Sequence, residues 1–180
     1  MKKTIFLMTI LLVCLLFVSE PVPAGVNEAA EATAKIGTFD SRVIALAYFR
    51  SADYQLVLSE FHKNYQKAKA EQNDSLIQVM EKEGPWTQIR MHLQVFSNAG
   101  TANIMSRVAH ELPKIAREAG VVMIVSKWEM PYCDATVETV DVTMAIAKLF
   151  KPDEQTLKII GQMKGQDPIP FDKLPLDPMM

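Results

Sequence analysis

The sequence predicts an α+β fold: a small β body with a projecting antiparallel, coiled-coil-like helical hairpin. Three observations predict it. Residues 41–83 hold no proline or glycine and repeat apolar side chains at helical spacing. A second helical stretch, 86–119, follows the break at Gly84-Pro85. Short apolar or β-branched runs at 35–39, 121–126 and 137–142 flank these helices at both ends.

Composition bounds the rest. The 180 residues include 19 basic and 21 acidic side chains, for a formal net charge of −2. That length suits one domain with appendages. Apolar residues at 49% and charged residues at 22% exclude a disordered or collagenous chain. A charge so near zero excludes a nucleic-acid binder that relies on a broad basic field. Two cysteines exclude a disulfide scaffold.

Residues 1–24 read as a secretory signal peptide. Lys2 and Lys3 give the positive start, residues 4–18 are almost unbroken apolar, and Val22-Pro23-Ala24 offers a small-residue cleavage site. The apolar run is shorter than the roughly 20 residues that span a bilayer. Retention as an N-terminal anchor is the alternative. A lipidated Cys14 fits poorly, because bulky Val13 precedes it and the apolar run continues past it. Cleavage after Ala24 would remove Lys2, Lys3 and Glu20 and leave a net charge of −3. The remaining chain has no further run long enough to span a membrane, and Cys133 is its one cysteine. Such a product is expected in an exported compartment, the periplasm, without stable membrane insertion.

Residues 25–34 are small and polar and read as a flexible leader. Lys35-Ile36-Gly37-Thr38-Phe39 reads as a short strand entering at the sheet edge, and Asp40 and Ser41 as N-caps of the helix that follows. In that helix Ile44, Ala47, Tyr48, Leu58, Phe61, Tyr65, Ala68, Leu76, Val79 and Met80 recur at helical spacing. Unbroken, it would run on the order of 60 Å. A core of this size cannot bury such a helix, so it must project and pack on a partner.

Gly84-Pro85 is the expected hairpin tip. The returning limb runs through Ile89, Leu93 and Phe96, stops at Asn98-Ala99-Gly100, and restarts with Thr101 as cap. Pro113 should kink the limb or mark another restart, and Gly120 should end it. Residues 121–126 (VVMIVS) read as a buried strand, and 128–132 as a second strand limited by Pro131. Asp141 and Thr143 can start a short helix over 144–150, and Asp153 caps another over 154–163. The four-proline stretch 165–180 reads as an extended, poorly ordered tail.

This order of elements resembles the Skp/OmpH family of periplasmic chaperones. Three stretches carry the resemblance: Lys35-Ile36-Gly37-Thr38-Phe39-Asp40, the run from Ile115-Ala116 through Gly120 to Val125, and Tyr132 followed by Val140-Asp141-Val142-Thr143. It covers residues 35–150, with the hairpin at about 41–119 and a short helix and Pro-rich tail at 151–180. The resemblance implies a homotrimer whose strands join in one body while the hairpins project around a cavity. It also implies a holdase-type chaperone for unfolded outer-membrane or envelope proteins, without catalysis or cofactor. The candidate client-binding residues on the hairpin are Leu76, Met80, Trp86, Met91 and Phe96; the candidate trimer-forming strand residues are Val122 and Ile124. The alternative is a scaffolding envelope protein that keeps the strand body without a client cavity.

Catalytic chemistry is thin. His62, His92 and His110 lie away from any cysteine or second histidine at metal-ligand spacing. Cys133 has no adjacent histidine to activate it. Ser126 and Lys127 are neighbours on a strand and so point to opposite faces. Trp128 is expected to pack against neighbouring elements rather than stack on a ligand. No catalytic, cofactor or metal residue is expected.

Overall fold

The structure, a computed structural model, describes residues 34–174. The expected signal peptide, the leader up to residue 33 and the last six residues lie outside the described residues. The fold is α+β. Its strands are β1 (Ile36–Phe39), β2 (Met123–Ser126) and β3 (Thr139–Asp141). Its helices are α1 (Ser41–Phe49), α2 (Ala52–Ala70), α3 (Asp74–Phe96), α4 (Ala102–Met105), α5 (Leu112–Ala119), α6 (Thr143–Ala147) and α7 (Glu154–Met163). Single 3-10 turns follow at Lys148–Phe150 and Phe171–Lys173.

The sheet is parallel, in the order β2-β1-β3. The expectation that the first strand enters at the edge is corrected: β1 is the centre. Parallel neighbours need crossovers. The chain from β1 to β2 passes through α1–α5, whereas residues 127–138 alone carry it from β2 to β3. Those residues form turns and irregular chain, so the second strand expected at 128–132 is absent. Pro131 supplies no N–H for a ladder, and the crossover leaves no length for one.

Helix α1 is the hub. Ser41 to Tyr48 are all buried except half-buried Leu46, and α1 packs against α3, α6 and α7. The Asp40 side chain caps it by accepting from the Arg42 N–H (3.1 Å), as the sequence predicts. Ile44, Ile104 and Ile146 are fully buried beside Phe39 and Val142. Tyr48, Phe49, Tyr54 and Phe150 pack edge to face around the end of α1, with ring centroids 4.9–5.6 Å apart.

The expected continuous helix over 41–83 is three helices. Ser51 stops and restarts the chain: its hydroxyl donates to the Tyr48 carbonyl (2.6 Å) and accepts from the Tyr54 N–H (3.2 Å). The next break is at 71–73. Gln72 takes a left-handed backbone (φ 53°), and Asn73 caps α3 by accepting from the Leu76 N–H (3.1 Å). The chain therefore breaks here and not at Gly84-Pro85, the expected tip, which lies inside α3. Proline costs a helix interior about 3 kcal/mol and glycine about 1. Packing of the flanking turns of α3 on α1 and α2 must offset both.

The remaining boundaries follow their punctuation. α3 ends at Phe96, Thr101 precedes α4 without a side-chain capping bond, and Pro113 sits in the first turn of α5. Gly120 ends α5 at φ 65°, a conformation a Cβ would strain. Asp153 caps α7 through the Thr156 N–H (2.7 Å). The tail departs from expectation: Ile169 donates its N–H to the Phe96 carbonyl (2.8 Å) and accepts from the Ser97 hydroxyl (2.8 Å). Residues 165–174 thus strap back onto the foot of α3.

Candidate functional site

Two places concentrate side chains that the core does not need. The first is the surface of α2 and α3. The better-buried positions of α2 include Tyr54, Leu58, Phe61, Tyr65 and Ala68; those of α3 include Ile77, Met80, Gly84, Thr87, Met91 and Gln94. Both rows step by alternate threes and fours, the spacing of a helix–helix seam. The Tyr54 hydroxyl donates to the Met91 sulfur (3.1 Å) and the Tyr65 hydroxyl to Glu81 (2.7 Å). Glycine and threonine at positions 84 and 87 leave the seam underfilled. A cavity of about 540 Å³ opens there, walled by Tyr54, Leu58, Phe61 and Met91, with His62 and Glu83 also lining it. A second hollow of about 490 Å³ lies at the foot of α3, lined by Trp86, Ile89, Leu93 and Gly100.

Off the seam, large apolar side chains face solvent. Trp86 is 67% exposed, Leu56 64% and Val79 50%. Val79, Trp86 and Leu93 recur every seventh residue, so they share one face of α3. Phe96 stands beside this row, edge to face with His92 (5.8 Å) and half in solvent.

The second place lies where the three strands end. Asp40 follows β1, Lys127 and Trp128 follow β2, and Thr143 follows β3. The buried Asp40 carboxylate accepts from Arg42 N (3.1 Å), Arg42 Nε (3.1 Å), Arg42 Nη2 (2.9 Å), Trp128 Nε1 (2.8 Å) and Lys127 Nζ (2.9 Å). The Asp40 N–H donates to the Thr143 hydroxyl (2.9 Å). The Arg42 guanidinium (4.8 Å) and the Lys127 ammonium (4.4 Å) each lie over the Trp128 ring. Burial by itself would raise the Asp40 pKa. The hydrogen bonds from Arg42, Trp128 and Lys127, with the charge of Arg42, outweigh it and hold the carboxyl at about 2. A carboxylate so acidic, with its oxygens so fully engaged, is a poor base at neutral pH. The cluster is a clamp that joins the strand ends.

The residues named from sequence separate in the structure. Leu76, Trp86 and Phe96 are exposed on α3. Met80 is corrected: at 7% exposure it lies buried in the seam row and offers no free surface. Met91 is half-buried and bound to Tyr54. The run 121–126 is not a uniformly buried strand. Val121 is buried, Val122 is 71% exposed and precedes β2, and Ile124 turns half-buried toward the core. Trp128 packs against its neighbours, as expected. The three histidines are exposed; His62 and His92 lie on helices and His110 lies in a turn.

Sequence reasoning missed Leu56, whose phase is off the seam, and the clamp built from Asp40, Arg42, Lys127 and Trp128. The acid and base two residues apart at a strand end were a legible signal for the clamp. Among the described residues, no group of three or more His, Cys, Asp or Glu side chains could hold a metal ion. No described helix is long and apolar enough to cross a membrane. Comparison with known protein families, curated proteins and solved structures gives no match.

Proposed function

We propose that the chain is a holdase-type chaperone of the periplasm. It binds unfolded outer-membrane or envelope proteins on an antiparallel, coiled-coil-like hairpin made by α2 and α3, without catalysis. One observation carries the reading: Trp86, Leu56, Val79, Leu76 and Phe96 stay exposed on this pair while its seam rows are better buried. Apolar side chains that a chain neither buries nor needs for its own fold mark a binding surface. The seam spacing and the Tyr54–Met91 and Tyr65–Glu81 contacts support the hairpin. Charged residues beside the row, such as Lys82, Glu83 and Arg90, keep it soluble.

The same proposal includes a homotrimer formed through the strands. Among the described residues each end of β2-β1-β3 is an open edge, and Val122 and Met123 present apolar surface at the start of β2. That exposed corner also favours a second reading, a scaffold whose working surface is the strand body.

The test measures aggregation of an unfolded β-barrel protein, diluted from denaturant, by light scattering. Residues 25–180 should suppress it at near-stoichiometric ratio, and a triple variant, Leu76→Ser, Val79→Ser and Trp86→Ser, should lose most of that effect. No suppression by the unmodified chain overturns the holdase reading. Suppression that survives the triple variant moves the site off α3.

A further inference from the structure

We infer that the strap 165–174 occupies a seat that reads polypeptide backbone, and that an extended segment of an unfolded protein takes its place; this rests on the holdase reading. The seat has three groups. The Phe96 carbonyl accepts from Ile169 N–H (2.8 Å), the Ser97 hydroxyl donates to the Ile169 carbonyl (2.8 Å), and Arg42 Nη2 donates to the Gln166 carbonyl (2.6 Å). Every one of these bonds goes to main-chain atoms of the strap.

The strap's side chains point to the same conclusion. Ile169 is 41% exposed and Phe171 60%. A segment that evolved only to seal the core would bury its apolar side chains; Leu174 is half-buried, but Ile169 and Phe171 are not. This one is held by its backbone and leaves them in water. Main-chain hydrogen bonds are blind to side-chain identity, which is what lets an added extended segment bind to a protein of different sequence.

Residues 166–170 of the strap, before the 3-10 turn at Phe171–Lys173, are also shaped as an extended ligand. Asp167 and Ile169 each precede a proline, which biases both toward extended backbone. Pro168 and Pro170 fix their own φ and carry no N–H. Ile169 therefore presents the only N–H between Asp167 and Phe171, and that N–H meets the Phe96 carbonyl. Gly165, at φ 81°, makes the turn that sends the chain from α7 to the seat. The seat adjoins the exposed row of α3 through Phe96, so a client lying along Val79, Trp86 and Leu93 would run into it.

The strap then acts as an internal competitor, and loosening it should strengthen binding in trans. The full-length mature chain carrying Ile169→Pro loses the donor to Phe96 while both flanking prolines keep the strap extended. Two probes are used by fluorescence anisotropy: a labelled peptide of residues 165–174, and a reduced, carboxymethylated protein that cannot refold. Loss of one such hydrogen bond is worth about 3- to 10-fold. Both probes should bind Ile169→Pro that much more tightly than the unmodified chain. Adding Ser97→Ala, which removes a donor of the seat, should cancel the gain.

Equal or weaker binding of the strap peptide to Ile169→Pro overturns the seat, even where the unfolded protein is held. Tighter binding of the peptide with no binding of the unfolded protein by any variant supports the seat and overturns the holdase reading. Circular dichroism of Ile169→Pro should match the unmodified chain. Should it not, Ser97→Ala alone carries the test: protease should cut the strap faster than in the unmodified chain, and an unchanged rate overturns the seat.

Discussion

The strand body and the α2–α3 pair use the same kinds of residue in opposite ways. In the body, apolar side chains converge on α1, and a buried charged site, Asp40 with Arg42, Lys127 and Trp128, is closed on itself by hydrogen bonds. In the pair, the seam is thin, two of its positions hold glycine and threonine, and several of the largest apolar side chains face solvent. The difference separates the part that specifies the fold from a part whose large apolar side chains the fold leaves exposed.

The largest effect belongs to the clamp. Arg42→Ala leaves the Asp40 carboxylate buried with fewer donors and removes the tie to Gln166. Breaking one partner of a buried pair costs about 3–5 kcal/mol. Urea denaturation should show a loss in that range. A loss below about 1 kcal/mol would mean that Lys127 and Trp128 satisfy Asp40 alone, and the body would be less tightly specified than its geometry indicates.

Pro85→Ala should have the opposite sign. Alanine restores the helical N–H, relieves the clash with the preceding turn, and should stabilise the chain by about 1–3 kcal/mol. Gly84→Ala should add about 1 more, since a Cβ there meets nothing within 4 Å. A body residue so replaced would gain nothing of the kind. Destabilisation by either change would show that Gly84-Pro85 relieves a strain elsewhere in the pair.

Acid should act on the body first. The Asp40 pKa is depressed on folding, from an ordinary 3.8 to about 2. The stability it contributes is therefore complete above about pH 4 and is lost as pH falls through about 2. A shift of that size corresponds to roughly 2–2.5 kcal/mol. Asp40→Asn, already less stable at neutral pH, should lose less between pH 4 and 2 than the unmodified chain. Equal acid slopes for the two proteins would remove Asp40 from the account.

How the molecule reads from sequence follows from the same contrast. Caps and stops marked by strong punctuation were legible: Asp40, Asp153, Gly120, Pro113 and the stop after Phe96 all stand where their chemistry puts them. The turn at 71–73 was missed because no glycine or proline marks it. Asn73 with Asp74 and Ser75 is a helix-start signal, yet Gly84-Pro85 looked stronger, and only tertiary packing decides that a helix runs through a proline. Ser51 was overlooked for the same reason. The parallel order β2-β1-β3 was illegible, since three short runs carry no pairing partner in their residue types. At the candidate site, Met80 and Trp86 are both large and apolar in one helix. Their phase relative to the seam buries one and exposes the other, and the seam's phase depends on where the turn falls.

The smallest expected effect on stability carries the most weight for function. Trp86 rests on the wall of an open hollow and leaves two-thirds of its surface in water. Replacing it removes little buried area, and surface changes of this kind usually stay within about 0.5 kcal/mol. Trp86→Ser should thus leave the urea midpoint almost unchanged. If α3 is a client surface, the same change should weaken the hold on a carboxymethylated unfolded protein several-fold, because an exposed indole contributes much of its contact energy only when a partner covers it. Ile44→Ala in the body should do the reverse: about 2–5 kcal/mol of stability lost, with affinity unchanged at temperatures where the chain is still folded. A Trp86→Ser chain that unfolds early would mean the indole is structural. One that folds and still binds clients as tightly would leave the exposed row of α3 without a use, and the strand body with its Val122 corner would then be the surface to examine.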